Sequence, residues 1–115
     1  MIIRKLKDVP AEAVEMEGVR GAAKQMMLGS ADGVPNFSLR VFTVDPGGHT
    51  PLHRHESEHL NYIISGRGVL MDASGGSHPL EEGDFAFVQP DEVHQFRNAG
   101  EDPFVFICAV PREYE

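Results

Sequence analysis

Short runs of apolar residues alternate with polar turns along most of the chain. In residues 37–44 (FSLRVFTV), alternate side chains belong to opposite faces, which is the periodicity of a β-strand. Residues 104–110 (FVFICAV) are continuously apolar and rich in Val, Phe and Ile, as expected of a buried strand. Turn residues separate such runs, for example DPGG at 45–48 and ASGGS at 73–77. This pattern predicts an all-β sandwich or barrel.

The same alternation locates the individual strands. The predicted strands are 2–6, 22–28, 37–44, 60–66, 69–72, 78–80, 85–88, 93–97 and 104–110. Residues 10–17 have mixed character, either a turn of helix or an irregular strand, and 29–35 and 98–103 are predicted loops. In the strand 37–44, alternation places four side chains on one face, namely Ser38, Arg40, Phe42 and Val44.

Histidines supply the candidate chemistry. His53, His55 and His59 lie within seven positions, and His94 follows on a remote strand. Because residues i and i+2 of a strand point to the same face, His53 and His55 can both enter one interior. If His59 faces inward on the next strand, Asn61 does so too. We therefore predict one metal site built from these four histidines.

Composition and charge narrow the possible partners. The chain has 115 residues, 41% of them hydrophobic and 24% charged, which is typical of one globular domain covering 1–115. A net charge of −8 argues against nucleic acids and anionic membranes, because phosphate binding requires clustered Lys and Arg. No apolar run reaches the roughly 18 residues of a membrane span, and residues 1–7 lack the apolar core of a signal peptide. The single cysteine, Cys108, allows no internal disulfide, so we expect a cytoplasmic protein.

The spacing around the first histidines resembles the first motif of the cupin superfamily. That motif is a Gly, five residues, His-x-His, three or four residues, Glu, six residues and Gly. Gly47, His53, His55 and Gly66 fall in this register. His59 stands where the motif has Glu.

The second cupin motif is a Gly, five residues, Pro-x-Gly, two residues, His, three residues and Asn. Gly83, His94 and Asn98 keep its spacing. Gln89 stands at the position of the motif's Pro and Asp91 at that of its Gly. Both departures lie in the turn before the histidine and not at the histidine itself.

This resemblance covers nearly the whole chain and is greatest to small bacterial four-histidine cupins that bind manganese. It implies a double-stranded β-helix (jelly-roll) barrel with a short irregular N-terminal segment. It also implies a divalent transition metal held by the four histidines, with manganese first and Fe, Ni, Cu, Co or Zn as alternatives. Small cupins commonly pair their sheets, and the apolar strand predicted at 2–6 is free to pair, so we expect a homodimer.

Other conspicuous residues have simpler interpretations. His49 and His78 lie beside turns outside both motifs and are expected to be ordinary polar residues. The glycines of the motifs are expected in turns, and Asn98 is expected to be a structural hydrogen-bonding residue. Cys108 is expected to be a small buried residue; if its strand lines the cavity, it faces the metal.

The expected activity follows from the metal. Four neutral imidazoles leave two positions of an octahedral ion open, which could hold substrate beside dioxygen or peroxide. We expect oxidative chemistry of a dioxygenase or peroxygenase type on a small, largely apolar substrate. The alternatives are a metal-dependent isomerase or lyase, and a binding protein without turnover. Candidate residues for the core or the cavity wall are Phe42, Ile63, Phe85, Phe87, Phe96, Phe104 and Phe106.

Overall fold

Antiparallel strands make up most of the protein, and the computed structural model describes residues 1–115. The strands are β1 (Glu12–Ala13), β2 (Arg20–Leu28), β3 (Phe37–His49), β4 (His59–Ser65), β5 (Arg67–Met71), β6 (Ser77–Glu81), β7 (Phe85–Val88), β8 (Gln95–Asn98) and β9 (Phe104–Pro111). Three single 3-10 turns complete the structure, at Leu6–Asp8, Ser30–Asp32 and Arg112–Tyr114. No helix has the length and apolar character needed to cross a bilayer.

β3 joins the two halves of the sheet. The hydrogen-bonded order is β6-β5-β8-β3-β9-β4-β7, and β2 pairs with the other edge of β3 and with β1. The first part of β3 pairs with β9 from Phe37 to Val44, whereas its last residue, His49, pairs with Arg97 of β8. The sheet is therefore strongly curled, as in a jelly-roll barrel, and the all-β prediction is confirmed.

The turn predicted at 45–48 is instead an irregularity inside β3. β2 pairs with both Val44 and His49, so the four residues between them bulge out without reversing the chain. Gly48 is required here, since a Cβ at this position would lie 2.6 Å from the carbonyl oxygen of Arg20. Strand pairing on both sides of the DPGG sequence overrides its turn preference.

The strand predicted at 2–6 is wrong, although the N-terminal segment is short and irregular as expected. Its end forms the 3-10 turn Leu6–Asp8. The Gln25 side chain donates hydrogen bonds to the carbonyl oxygens of Leu6 (3.0 Å) and Val9 (2.8 Å). A side chain of β2 thus satisfies backbone groups that a partner strand would otherwise pair.

The core lies between the two curled halves of the sheet. Along β9, Phe104, Phe106, Cys108 and Val110 point inward and are buried. The Phe106 ring stacks on Phe96 of β8 at a centroid distance of 4.5 Å, which joins the two halves. The predicted strand 85–88 is confirmed residue for residue, and the strands predicted at 22–28, 60–66, 69–72, 78–80 and 104–110 are confirmed to within two residues at each end.

Candidate functional site

The four predicted histidines come from two neighbouring parts of the sheet. His53 and His94 form an isolated antiparallel bridge with backbone hydrogen bonds of 2.9 and 3.2 Å. His55 follows in a loop, where its carbonyl oxygen accepts a hydrogen bond from Asp91 N at 2.8 Å. The expectation that His53 and His55 share a regular strand is therefore wrong, although both rings enter the same cavity as expected. His59 is the first residue of β4, and His59 and Asn61 are buried on its inner face as predicted.

Three of the imidazole rings meet at one place, and the fourth, His59, lies beside them without belonging to the group whose ligand atoms are all mutually close. Potential ligand atoms of His53, His55 and His94 all lie within 4.8 Å of one another. His59 adjoins this group at His94, because their Nε2 atoms are 3.1 Å apart. The rings of His55 and His94 each lie close to both His53 and His59, with centroid distances from 4.8 to 5.4 Å. We call these four residues the histidine cluster.

Hydrogen bonds on the outer side of the cluster fix which nitrogen faces inward. The Nδ1 atoms of His55 and His94 lie 2.7 and 2.8 Å from backbone carbonyl oxygens, and Nδ1 of His59 lies 2.7 Å from Oδ1 of Asn61. An oxygen acceptor requires the proton on Nδ1, which leaves the lone pair on Nε2. The Nε2 atoms of His59 and His94 therefore face each other without a proton between them.

This arrangement fits a bound cation. Two nitrogens held about 2.1 Å from one ion at a right angle are about 3 Å apart, close to the 3.1 Å between His59 Nε2 and His94 Nε2. Imidazole hydrogen bonds to carbonyl or amide oxygens are also the usual means of orienting metal-binding histidines. The donor set is four neutral nitrogens, which suits Zn, Cu, Fe, Ni or Co and, less tightly, Mn.

Burial favours the neutral form of three of these imidazoles, His53, His59 and His94. Burial lowers the pKa of His59 to about 3, despite the hydrogen bond to Asn61, which acts in the opposite direction. Burial also lowers the pKa of His53 and of His94. A neutral imidazole is the form that binds a metal, so burial holds these three histidines in the metal-binding form.

The histidine cluster lines a cavity of about 550 Å³. Its walls are largely apolar and include three of the predicted phenylalanines, Phe42, Phe96 and Phe106. Phe85 and Phe87 are exposed on the outside of β7, so their prediction as core or wall residues is wrong. Strand alternation alone could not tell the two faces of that edge strand apart.

Cys108 and Arg40 lie next to each other in the cavity wall, on adjacent strands. Cys108 lines the cavity as expected, and Nη2 of Arg40 donates a hydrogen bond to its Sγ at 3.0 Å. Burial raises the pKa of the Cys108 thiol, so the thiol is neutral at physiological pH. Sequence reasoning placed Arg40 on the same face as Phe42 but did not assign it a role.

Sequence reasoning also missed one side of the cavity, which the segment around β1 provides. The residues from this segment that line it are Glu12, Ala13, Val14, Glu15, Met16 and Val19. Their mixed polarity gave no strand or helix signal. The segment is held by a hydrogen bond from Val14 N to Ala22 O of 2.9 Å.

The residues that were expected to have no chemical role lie outside the cluster. His78 is exposed and pairs with Asp72 at 2.8 Å, and His49 contacts the carbonyl oxygen of Thr50. The Asn98 amide donates to the carbonyl oxygens of Val44 and Asp102 and accepts from a backbone N–H, a structural role as predicted.

Comparison with known proteins agrees with this architecture. The family model described as the cupin domain matches residues 40–110, which include all four histidines. The chain belongs to the cupin family. This cupin resembles the solved polyketide cyclase RemF from Streptomyces resistomycificus, with a TM-score of 0.91 and 29% identity over 96% of this chain and 79% of that chain.

The curated relatives that the chain matches are longer proteins. The cupin is 33% identical over 94 residues to the 1-methylthio-D-xylulose 5-phosphate methylsulfurylase of Rhodospirillum rubrum, which covers 82% of this chain and 58% of that protein. Auxin-binding protein 1 of Arabidopsis thaliana is 26% identical over 120 residues, covering 96% of this chain and 59% of that protein. The chain thus spans less than two thirds of the length of these relatives.

Proposed function

We propose that this cupin is a metal-dependent enzyme in which His53, His55, His59 and His94 hold a divalent transition metal beside an apolar cavity. The observation that carries the proposal is the pair of Nε2 atoms of His59 and His94, 3.1 Å apart with both Nδ1 protons directed to oxygen acceptors. Two lone pairs at this distance repel unless a cation lies between them or beside them.

The chain's own residues define what the substrate meets. Phe42, Phe96 and Phe106 form an aromatic wall that excludes water and favours a small, largely apolar substrate. The carbonyl and amide acceptors at Nδ1 keep the rings turned toward the cavity. When bound, the metal would supply Lewis acidity and, if it is redox-active, activation of dioxygen or peroxide.

Two reaction classes remain candidates. Oxidative chemistry is the first, because four neutral ligands and an apolar cavity suit substrate binding beside an oxidant. Non-redox carbonyl chemistry is the second, and the similarity to a polyketide cyclase favours it. Because a non-redox reaction uses no peroxide, the neutral Cys108 thiol would not be oxidised during turnover.

Metal replacement separates these candidates. Metal-free protein is loaded with Mn²⁺, Fe²⁺ or Zn²⁺, its metal content is measured, and turnover of a panel of aromatic and polyketide-like substrates is followed with and without peroxide. Activity with Mn or Fe that requires oxidant supports oxidation, whereas activity with redox-inert Zn and no oxidant supports the carbonyl reaction. Ligand binding without product under every condition would instead support a binding protein.

The histidine assignment has its own control. His53→Ala and His94→Ala should lower metal content sharply, whereas His78→Ala, which removes an exposed histidine, should leave it unchanged. Equal metal content in all three variants would remove the basis of the proposal. We also retain manganese as the first candidate metal and the cytoplasm as the proposed location, the latter because the single cysteine is free and buried.

A further inference from the structure

One cationic side chain in the cavity wall lacks a counter-ion. Arg40 lines the cavity together with the histidine cluster, and its guanidinium lies over the Phe42 ring at 5.0 Å from the ring centroid. The ion pairs of the chain are Arg4–Asp32 and His78–Asp72, and neither involves Arg40. A half-buried guanidinium without a carboxylate is costly unless something else compensates its charge.

The hydrogen bonds of Arg40 are also incomplete. The only hydrogen bond of its side chain runs from Nη2 to the sulfur of Cys108, which is a weak acceptor. Its Nε is buried and has no hydrogen-bonding partner at all. An arginine with a structural role normally donates hydrogen bonds to carbonyl or carboxylate oxygens. The donors of the Arg40 guanidinium have no such oxygen acceptor within the chain, so they are available to a ligand.

Strand register places Arg40 beside the residue that orients the histidine cluster. Arg40 of β3 pairs directly with Cys108 of β9, and Cys108 pairs directly with Asn61 of β4. Paired residues on adjacent strands project to the same face, so these three side chains form one row across the interior. Asn61 in turn holds His59 through the Nδ1–Oδ1 hydrogen bond.

The carboxylates of the cavity do not compensate Arg40. Glu12 and Glu15 are exposed at the β1 side, where Glu12 pairs in register with Lys24. Glu115 accepts hydrogen bonds from the backbone and hydroxyl of Ser30 and from the Ser38 hydroxyl. A divalent ion on four neutral histidines would add two further positive charges to the inner end of the cavity.

We propose that Arg40 binds an anionic oxygen group of the substrate, and that the substrate is a small apolar carboxylate whose reactive part lies at the histidine cluster. This inference rests on the proposed function and extends it to a substrate class. A guanidinium recognises a planar carboxylate with paired donors, whereas the aromatic wall accepts the remainder of the molecule. Lys24, which also lines the cavity, is the other cation available to an acidic ligand.

The test compares an acid with its neutral isostere. Cinnamate and cinnamamide are titrated by calorimetry into metal-free and zinc-loaded protein, with metal content measured separately. Wild-type protein should bind cinnamate at least about 10-fold more tightly than cinnamamide even without metal, because a charge-assisted hydrogen bond favours the acid. Equal affinities, or no cinnamate binding at millimolar concentration, would overturn the assignment without reference to any variant.

Variants then locate the effect. Arg40→Gln should lower cinnamate affinity roughly 10- to 100-fold and leave cinnamamide affinity unchanged, and Arg40→Lys should restore part of the preference. Arg97→Gln removes an exposed arginine of β8 and should change neither affinity. An acid preference that survives in Arg40→Gln would transfer the role to Lys24 and reject this one. If wild-type protein shows no preference for cinnamate over cinnamamide but still binds zinc, the role of Arg40 is rejected and the proposal of a metal site is unaffected.

Discussion

Asn61 offers a direct test of how the protein matrix prepares the histidine cluster. Its Oδ1 accepts from Nδ1 of His59 at 2.7 Å, while its Nδ2 donates to the carbonyl oxygen of Ile107 at 3.2 Å. Asn61 is only 3% exposed, so water cannot replace either bond in full. In Asn61→Ala, the buried N–H of His59 loses its acceptor, which costs about 1–3 kcal/mol, and the part-buried carbonyl oxygen of Ile107 loses one donor, which costs about 1 kcal/mol.

We therefore expect Asn61→Ala to lower the free energy of unfolding of the metal-free protein by about 2–4 kcal/mol. The freed His59 ring can also rotate or change tautomer, so affinity for Zn²⁺ or Mn²⁺ should fall about 10- to 100-fold. Urea denaturation measures the first effect and competition with a chelator measures the second.

Asn98→Ala is the matched control. Asn98 makes three amide hydrogen bonds of 2.8–2.9 Å at the end of β8, and none of them involves the histidine cluster. It should lose comparable stability while keeping its metal affinity. If both variants lose metal affinity equally, the loss reflects general destabilisation, and the orienting role of Asn61 is refuted. Unchanged metal affinity in Asn61→Ala would refute it as well.

Three further predictions concern acid stability, backbone strain and assembly. Since the pKa of His59 is lowered to about 3 in the folded protein, the unfolded state binds the extra proton first between about pH 6.5 and 3. The free energy of unfolding of the metal-free protein should thus fall as pH drops through this window, by up to about 1.4 kcal/mol per pH unit for His59. Urea denaturation at several pH values should show a weaker dependence of this free energy on pH in His59→Gln than in wild type. Asp91 has a positive φ of 61°, so Asp91→Ala should be about 1 kcal/mol less stable than Asp91→Gly, and equal urea midpoints would argue against strain. The outer face of the sheet exposes Phe85 at 79% and Leu60 at 54%; we expect it to support the predicted homodimer, so light scattering should report a dimer for wild type and a monomer for Phe85→Asp.

The sequence was most informative where local pattern and tertiary structure agree. The alternation in 37–44 predicted which side chains of β3 share a face, and the continuous apolar run predicted β9, because both strands pair on two sides. The histidine spacing predicted which rings meet, since motif spacing fixes where a curled sheet brings remote segments together. The resemblance at Asp91 was informative in the same way, since the position where the cupin motif has Gly has a backbone conformation that favours Gly.

The errors came from residues whose role depends on distant partners. Residues 2–6 have the composition of a strand, but the Gln25 side chain, and not a partner strand, donates hydrogen bonds to the carbonyl oxygens of Leu6 and Val9. Phe85 and Phe87 look like core residues, yet β7 is an edge strand and presents them outward. For Arg40, the sequence predicted the face of the strand on which it lies. It did not predict that the guanidinium would lack a carboxylate partner. A missing partner cannot be read from a linear sequence.

The interior of this barrel therefore contains one polar row that borders an apolar row on one side. Arg40, Cys108 and Asn61 lie side by side on three adjacent strands, whereas the next inward positions on β3, β9 and β4 are Phe42, Phe106 and Ile63. An apolar row at all three polar positions would bury more hydrophobic surface and leave no unpaired donor. Stability alone therefore does not explain the polar row. Its placement between the aromatic wall and the histidine cluster is explained if the substrate completes it, with an acidic group at Arg40 and a reactive group at the rings that Asn61 keeps in orientation.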